Sequence, residues 1–197
     1  MVPQLSAPPS TLSQSLYPVA SLRKTDLLLD LLRQEAMGSV LVFARTRRRA
    51  DSLAKRLQRA QVNATCIHGD RSQSEREKAL RAFRQRRVRV LVATDVAARG
   101  LDVEGVTHVV NFDVPNDPAG YLHRIGRTAR AGAAGEALTL ASREEAATIV
   151  DIERTLGHRL RRAAVQGMTE IEAVPVAPAP RGALTRGRGR SLSRSRR

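Results

Sequence analysis

Residues 121–132 read Tyr-Leu-His-Arg-Ile-Gly-Arg-Thr-Ala-Arg-Ala-Gly, and this stretch places a basic helix within the fold. Asp117 and Pro118 come just before it and predict the helix start, because an Asp side chain can cap the first turn and proline suits the first helical position. Gly132 predicts the end of the helix. Apolar, strand-like runs lie on both sides of the stretch, so we expect a strand–helix–strand unit.

The basic side chains of this predicted helix are expected to share one face. His123, Arg127 and Arg130 fall at positions i, i+4 and i+7. Gly126 leaves the helix thin enough for another surface to approach closely. Two guanidinium groups on one face suit a multiply charged anion, because each can donate to two oxygens at once. The alternative is an ordinary amphipathic helix with a solvated basic face.

Strand and helix signals alternate along the rest of the chain. Short apolar runs typical of buried strands are 40–43, 65–67, 88–93, 108–112 and 137–140. Helix signals between and beside them are the leucines of 27–32, Thr46 as an N-cap, a capping box of Ser72 and Glu75, and the segment 143–156. Repeated strand–helix units predict an α/β fold, a parallel sheet with helices on both faces. Binding sites in such folds lie at the carboxyl ends of the strands.

The charge balance of the chain favours a polyanionic partner. The net charge is +15, from 34 Lys and Arg against 19 Asp and Glu, and the only lysines are Lys24, Lys55 and Lys78. Nucleic acid is the usual partner of such a protein. Solubility, or an arginine bias from a GC-rich genome, is the alternative explanation, although a pI near 11.6 makes solubility alone less convincing.

The ends of the chain differ in composition from its middle. Residues 1–15 are rich in Pro, Ser and Gln and predict a disordered leader; 16–166 is the expected folded domain. Residues 167–180 predict an extended linker, and 181–197 carry seven Arg and no acid, which predicts a disordered basic tail. The tail is either a sequence-blind tether for nucleic acid or a solvated end.

Several features bear on the cellular setting. The single cysteine, Cys66, lies in a strand-like run and is interpreted as a buried structural thiol. We predict no metal ligands in this chain. No run of 18 apolar residues and no signal peptide is present, so we expect a soluble, cytoplasmic protein that does not bind membranes.

Residues 92–102 follow a strand directly and suit a phosphate group. Small residues and a helix start at a strand end leave backbone N–H groups accessible. Thr94 adds a hydroxyl donor. Asp95 and Asp102 can accept hydrogen bonds from ribose hydroxyls or hold nearby arginines.

Four segments together resemble the conserved motifs of the DEAD-box RNA helicases. The stretch at 121–132 resembles motif VI, usually written HRIGRTGRAG, with Ala129 where the family usually has Gly; we expect that methyl group to be a small change. Residues 92–102 resemble motif V, 40–46 resemble motif IV, and 68–76 resemble the segment called IVa. Their order and spacing cover about 150 residues, so the chain is identified as similar to the C-terminal RecA-like domain of this family, of the RhlE-like bacterial type.

The resemblance implies roles for individual residues. Arg127 and Arg130 resemble the catalytic arginine fingers that reach the γ-phosphate of ATP. The nucleotide-binding set implied by the resemblance is Gly100, Asp102, Arg127 and Arg130. The set that contacts the RNA backbone, independently of base sequence, is Thr94, Arg76 and Gly69. The set that couples this domain to its partner domain is His123, Asp95 and Arg99.

Two motifs of a complete helicase are absent from this sequence. A Walker A loop needs Gly-Lys-Ser/Thr, and Lys24, Lys55 and Lys78 follow Arg23, Ala54 and Glu77. No Asp is followed by Glu, so the Asp-Glu-Ala-Asp sequence is absent as well. The resemblance therefore implies that an N-terminal RecA-like domain, in cis or in trans, holds most of the ATP and its Mg²⁺. We predict that the chain alone does not hydrolyse ATP.

Three functions compete at this point. The first is the C-terminal half of an ATP-dependent RNA helicase. The second is a stand-alone RNA-binding module without ATPase activity, which the Arg-rich tail favours and the intact pair of Arg127 and Arg130 disfavours. The third is a domain of a DNA-directed helicase of the same superfamily, whose members usually differ at His123 and Ile125.

Overall fold

The computed structural model describes residues 9, 11–34, 37–99, 103, 105–130 and 132–164 of the chain. The strands are β1 (Leu12–Pro18), β2 (Val40–Phe43), β3 (Ala64–Ile67), β4 (Val90–Ala93), β5 (His108–Asn111), β6 (Gly135–Ala141) and β7 (Arg161–Arg162). The helices are α1 (Lys24–Gln34), α2 (Arg47–Arg59), α3 (Gln73–Arg84), α4 (Asp95–Ala98), α5 (Pro118–Ile125) and α6 (Ala146–Leu156), with 3₁₀ turns at Ser21–Arg23 and Arg143–Glu145.

The strands form one parallel sheet in the order β3-β4-β2-β5-β6-β1-β7. The central strands are apolar on both faces, as expected for a parallel sheet covered on both sides. Leucines of α1 and α2 pack on one face, and α3, α4, α5 and α6 cover the other. The α/β fold with helices on both faces of a parallel sheet is confirmed.

Three predicted helix starts are present with their hydrogen bonds. The Thr46 hydroxyl accepts from the backbone N–H of Arg49 at the start of α2. Ser72 and Glu75 form the reciprocal capping box of α3. Asp117 accepts from the backbone N–H of Gly120 at 2.7 Å, with Pro118 at the first position of α5. Each cap satisfies N–H groups that a helix start otherwise leaves without partners.

The predicted disordered leader is wrong at its C-terminal end. Leu12–Pro18 pairs with β6 over seven positions and with β7 over two. Leu12 and Leu16 are buried beneath α5 and α6. The pattern Leu-Ser-Gln-Ser-Leu has little strand propensity of its own, and pairing with a distant strand decides its conformation.

Within the described ranges, no helix has both the length and the apolar character needed to cross a membrane. The predicted linker and basic tail, 167–197, lie outside the described residues, as do Gly100 and Asp102.

Candidate nucleotide and nucleic-acid site at the carboxyl edge of the sheet

A cavity of about 320 Å³ opens at the carboxyl ends of β4, β2 and β5. These three strands are neighbours, and the chain crosses from one side of β2 to the other between β4 and β5. Open α/β sheets bind ligands where the strand order reverses in this way. The cavity is lined by segments that follow each of the three strands, including Arg45, Thr94 and Asn116.

Arg124 anchors the floor of this cavity. Its guanidinium donates from Nε and Nη2 to the two carboxylate oxygens of Asp95, both at 2.7 Å, and from Nη1 to the backbone oxygen of Asp113 at 2.6 Å. It also donates to Asn111 Oδ1 at 3.2 Å and lies over the ring of Phe43, 5.0 Å from its centroid. Sequence reasoning did not single out this residue. The available signal was its place next to His123, about 100° around the helix and so off the face assigned to His123.

The predicted helix face of His123, Arg127 and Arg130 is wrong in its geometry. Helix α5 ends at Ile125, with Gly126 as its C-cap, so only His123 lies on the helix. Arg127 follows in a turn and still lines the cavity with His123. Arg130 is exposed, and its Nε donates to the backbone oxygen of Gly126 at 2.8 Å.

The backbone turns left-handed at Ala129, between Arg127 and Arg130, as well as at Gly132, where the end of the helix was predicted. Ala129 has φ 55°, and Gly132 has φ 80°. A φ in this range costs an L-residue roughly 1–2 kcal/mol and costs glycine little. The methyl group at Ala129, expected to be a small change, therefore stands at a position that favours glycine for conformational reasons.

The close approach of another backbone, expected at Gly126, occurs instead at Gly135. A Cβ on Gly126 would meet first the backbone oxygen of Leu122, which belongs to its own helix, at 3.1 Å. A Cβ on Gly135 would stand 2.3 Å from Thr128 Oγ1 and 2.5 Å from the backbone nitrogen of Ala129. The absence of a side chain at Gly135 thus lets β6 begin directly against Thr128 and Ala129, in the turn that also carries Arg127.

The structure brings together several residues that the sequence assigned to different roles. Thr94, Asp95 and Arg99 line the same cavity as His123 and Arg127. Two roles were predicted for Asp95, accepting from ribose hydroxyls or holding a nearby arginine. The structure shows the second, since Asp95 pairs with Arg124. Thr94 is buried as the N-cap residue of α4, and Arg99 is exposed at its C-cap.

Arg76 and Gly69 lie beside this cavity and do not line it. Arg76 reaches from α3 to the backbone oxygen of Ala97 at 3.5 Å, so it joins α3 to α4. Gly69 lies in the exposed turn after β3, where an added Cβ would meet the Arg47 guanidinium at 3.4 Å. Arg47 also pairs with Asp70 at 2.5 Å, which fixes the turn against the start of α2.

A polar cluster behind the turn of Gly69 positions its backbone. His68 is buried; its Nδ1 accepts from the backbone N–H of Asp70 at 3.3 Å and its Nε2 lies 3.0 Å from Asp51 Oδ2. Asp51 Oδ1 accepts from Arg71 at 2.8 Å and from the Cys66 thiol at 3.2 Å. Burial opposes ionisation of Asp51, but the contacts with His68, Cys66 and Arg71 outweigh it and lower its pKa to about 2.

Asp51, Cys66 and His68 are residue types that can bind a metal ion, with ligand atoms within 4.8 Å of one another. Arg71 Nη2 lies 2.8 Å from the carboxylate and 3.5 Å from the sulfur, so a metal ion would face a fixed positive charge. Burial, and then the nearby Asp51, raise the pKa of the Cys66 thiol and disfavour the thiolate that a metal needs. The cluster therefore fits a structural role, as interpreted for Cys66.

A second missed residue, Arg45, lines the cavity from the end of β2. Its Nη2 donates to Glu145 Oε1 at 3.1 Å, and Lys24 Nζ lies 2.5 Å from Glu145 Oε2. Burial lowers the pKa of Lys24. Burial would raise the pKa of Glu145, but the charge and hydrogen bond of Lys24 hold it below its usual value. Arg45 is thus fixed at the cavity by contacts that no local sequence pattern signals.

This sheet order and edge cavity define a RecA-like helicase C-terminal fold. Residues 23–132 match the family of helicase conserved C-terminal domains, and the chain belongs to that family.

Relatives in the curated comparison are DEAD-box RNA helicases. CshA of Geobacillus kaustophilus, a DEAD-box ATP-dependent RNA helicase, is 49% identical over 140 residues, and CshA of Bacillus subtilis is 47% identical over 153 residues. The matches cover 71% and 78% of this chain and 30% and 31% of the two relatives. The chain thus spans less than a third of the length of these relatives.

Solved structures show the same similarity. A chain in the crystal structure of the E. coli DEAD-box protein SrmB bound to regulator of ribonuclease activity A has a TM-score of 0.76 and 35% identity, covering 88% of this chain and 100% of that one. S. cerevisiae Dbp5 bound to RNA and ADP BeF3 has a TM-score of 0.74 and 31% identity, covering 79% of this chain and 42% of that one.

Proposed function

We propose that this chain is the second RecA-like domain of a DEAD-box ATP-dependent RNA helicase. In this role Arg127 and Arg130 supply positive charge to the γ-phosphate of ATP, and the carboxyl edge contributes part of the RNA track. The observation that carries the proposal is that Arg127 and His123 line an open cavity at the carboxyl edge. The DEAD-box relatives support it.

The cavity suits the phosphate end of a nucleotide. Arg45, Arg99 and Arg127 line it, and guanidinium groups bind phosphate oxygens with good geometry. Its volume is at the lower end for a small-molecule site, which fits a ligand held mainly by another domain. ATP with Mg²⁺ would supply the phosphoryl group and its charge neutralisation. The implied ribose contacts, Gly100 and Asp102, lie outside the described residues.

Arg127 and Arg130 would act by electrostatic stabilisation. Negative charge develops on the transferred phosphoryl group, and a well-placed arginine accelerates such reactions by about 10³–10⁵. That corresponds to roughly 4–7 kcal/mol of barrier, far above the 0–1 kcal/mol typical of a surface ion pair. Because α5 ends at Ile125, both arginines lie on a turn, which leaves room for small adjustments when a partner domain closes.

The RNA track and the coupling residues complete the proposal. Thr94, Arg76 and Gly69 contact the RNA backbone, and His123, Asp95 and Arg99 transmit closure between the two domains. Four of these residues line the cavity, namely Thr94, His123, Asp95 and Arg99, and Arg76 and Gly69 do not. Asp95 acts through Arg124, which it holds. A cytoplasmic location and the RhlE-like subtype stay predictions.

A chimera tests the catalytic proposal. This chain replaces the matched segment of CshA from Geobacillus kaustophilus, and RNA-stimulated ATP hydrolysis is measured. We expect activity in the chimera, with a loss of about 10³ or more on Arg127→Ala and on Arg130→Ala. Arg143→Ala is the control, since this arginine is exposed, lies outside the four motifs and does not line the cavity.

Three outcomes would contradict parts of the proposal. An active chimera that tolerates Arg127→Ala would remove the catalytic role of that residue. ATP hydrolysis by the 197-residue chain alone, lost on Arg127→Ala, would remove the requirement for a partner domain. An inactive chimera, together with tight RNA binding by the chain alone, would favour the stand-alone RNA-binding module.

A further inference from the structure

Helix α2 carries an unusual excess of positive charge. Its sequence Arg-Arg-Arg-Ala-Asp-Ser-Leu-Ala-Lys-Arg-Leu-Gln-Arg holds six cations and one acid, Asp51. Helix α6, of 11 residues, holds one cation, Arg154, and two acids. The charge of the described surface is therefore unevenly distributed, and α2 is a strongly positive element.

Three of the cations form a line along the outer face of α2. Arg48, Lys55 and Arg59 stand at i, i+7 and i+11, which places them within an arc of about 40° around the helix axis. They extend over about 16 Å of the axis. A shallow groove of about 420 Å³ runs along them and is also lined by Ser52 and Arg56. We call Arg48, Lys55 and Arg59 the α2 stripe.

The α2 stripe is not neutralised by its neighbours. All three side chains are exposed, and none forms a salt bridge or hydrogen bond with another described residue. The acid of the helix, Asp51, is engaged by Arg71 and His68. Lys55 and Arg59 stand four apart, where like charges destabilise a helix by roughly 0.2–0.5 kcal/mol. The charged groups of the stripe thus make no contact with other described residues that would stabilise the folded domain.

The stripe continues from the turn assigned to the RNA track. Arg47 precedes Arg48, pairs with Asp70 and lies against Gly69. An RNA strand that follows the carboxyl edge past Gly69 would reach the start of α2 without a gap. At about 3.4 Å per stacked nucleotide, the stripe matches the backbone of about five nucleotides.

We propose that the α2 stripe is an additional binding surface for the phosphate backbone of the RNA that leaves the carboxyl edge. This inference rests on the proposed RNA-binding function and extends the RNA path onto a helix outside the four motifs. The contacts are charge contacts to phosphate, because no aromatic side chain lies in the stripe to stack on bases. Binding through the stripe is therefore insensitive to base sequence.

The experiment compares salt dependence in matched variants of the 197-residue chain. The stripe variant is Arg48→Gln, Lys55→Gln and Arg59→Gln, and the control variant is Arg143→Gln, Arg154→Gln and Arg159→Gln. Both remove three exposed cations. The probe is single-stranded oligouridine RNA, long enough to cover the edge and α2, and affinity is measured between about 50 and 200 mM salt.

The stripe variant is expected to flatten the plot of log affinity against log salt by about 2, since each lost phosphate contact contributes about 0.7 on single strands. The control variant should keep the wild-type slope. Charge-preserving exchange, Arg48→Lys, Lys55→Arg and Arg59→Lys, should restore the slope, because phosphate contacts here depend on charge. Thermal unfolding of each variant checks that the fold is unchanged.

Other outcomes overturn the inference in distinguishable ways. If the stripe variant keeps the wild-type slope while Thr94→Ala with Arg76→Ala weakens binding, the stripe is not an RNA surface and the proposed RNA track stands. If the stripe and control variants flatten the slope equally, binding follows total charge and the stripe has no special role. If the wild-type chain does not bind RNA, the proposed RNA function fails with it.

Discussion

Arg124 and Asp95 form a two-point ion pair that joins α5 to α4 across the carboxyl ends of the sheet. Nε and Nη2 of the arginine each lie 2.7 Å from a different oxygen of the carboxylate. The arginine side chain is 3% exposed and the carboxylate is 44% exposed. This pair places the start of the 92–102 segment against the helix in which the 121–132 segment begins, and so fixes the floor of the candidate site.

Arg124→Lys is expected to lower the free energy of unfolding by about 2 kcal/mol. A lysine keeps the charge but cannot donate two parallel hydrogen bonds or stack on Phe43, so it leaves buried acceptors without partners. Urea unfolding measures the loss. The control is Arg154→Lys, since Arg154 and Asp151 form an exposed pair and should change stability by less than about 0.5 kcal/mol. Equal stability of the two variants would contradict the anchoring role of Arg124.

Ala129→Gly is expected to stabilise the domain by about 1 kcal/mol. The substitution removes a Cβ from a residue with φ 55°, and this relief exceeds the added flexibility of the unfolded chain. Thermal or urea unfolding measures the change. Ala147→Gly, an exposed position on α6, is the control and should destabilise instead, because glycine disfavours a helix. A loss of stability on Ala129→Gly would show that the left-handed conformation is not strained.

Asp51→Asn is expected to destabilise the domain at neutral pH, and the deficit should shrink in acid. The contacts with His68, Cys66 and Arg71 hold the folded pKa at about 2, against an ordinary value of 3.8. A carboxyl group whose pKa is lower in the folded state stabilises the fold at pH values above its ordinary pKa. That contribution is lost as the pH falls towards the pKa of the folded state. The difference between wild type and variant should therefore diminish between about pH 4 and pH 2.

Chemical unfolding across that pH range measures this effect, as the difference between wild type and variant. The exposed pair of Asp151 and Arg154 supplies the control, since Asp151→Asn should give a small and nearly constant difference. A constant deficit for Asp51→Asn down to pH 2 would mean that the carboxylate charge is not what stabilises the turn of Gly69.

Local sequence signals predicted much of the helical structure. Thr46, Ser72 with Glu75, and Asp117 with Pro118 cap helices where expected, because a cap is a contact between residues three apart. The helix of 121–132 was predicted too long by the same local reasoning. It ends at Ile125, and the Thr128 hydroxyl holds the following turn against the start of β5. Its single proton is donated to the backbone oxygen of Val106 at 2.7 Å, and the backbone oxygen of Thr107 lies 3.0 Å from the same Oγ1.

The amino-acid sequence by itself determined the parallel α/β class and predicted the edge at which the candidate site lies, because apolar runs bury in the sheet and parallel strands end at one edge. Only the tertiary structure decided that Leu12–Pro18 is a strand, that Arg124 is a buried anchor and that Arg45 lines the cavity. Each of these depends on partners far away in the chain: β6 for the strand, Asp95 for Arg124 and Glu145 for Arg45. Long-range pairing of backbone and charge leaves no periodic signal in the sequence, so it becomes visible only when the chain is folded.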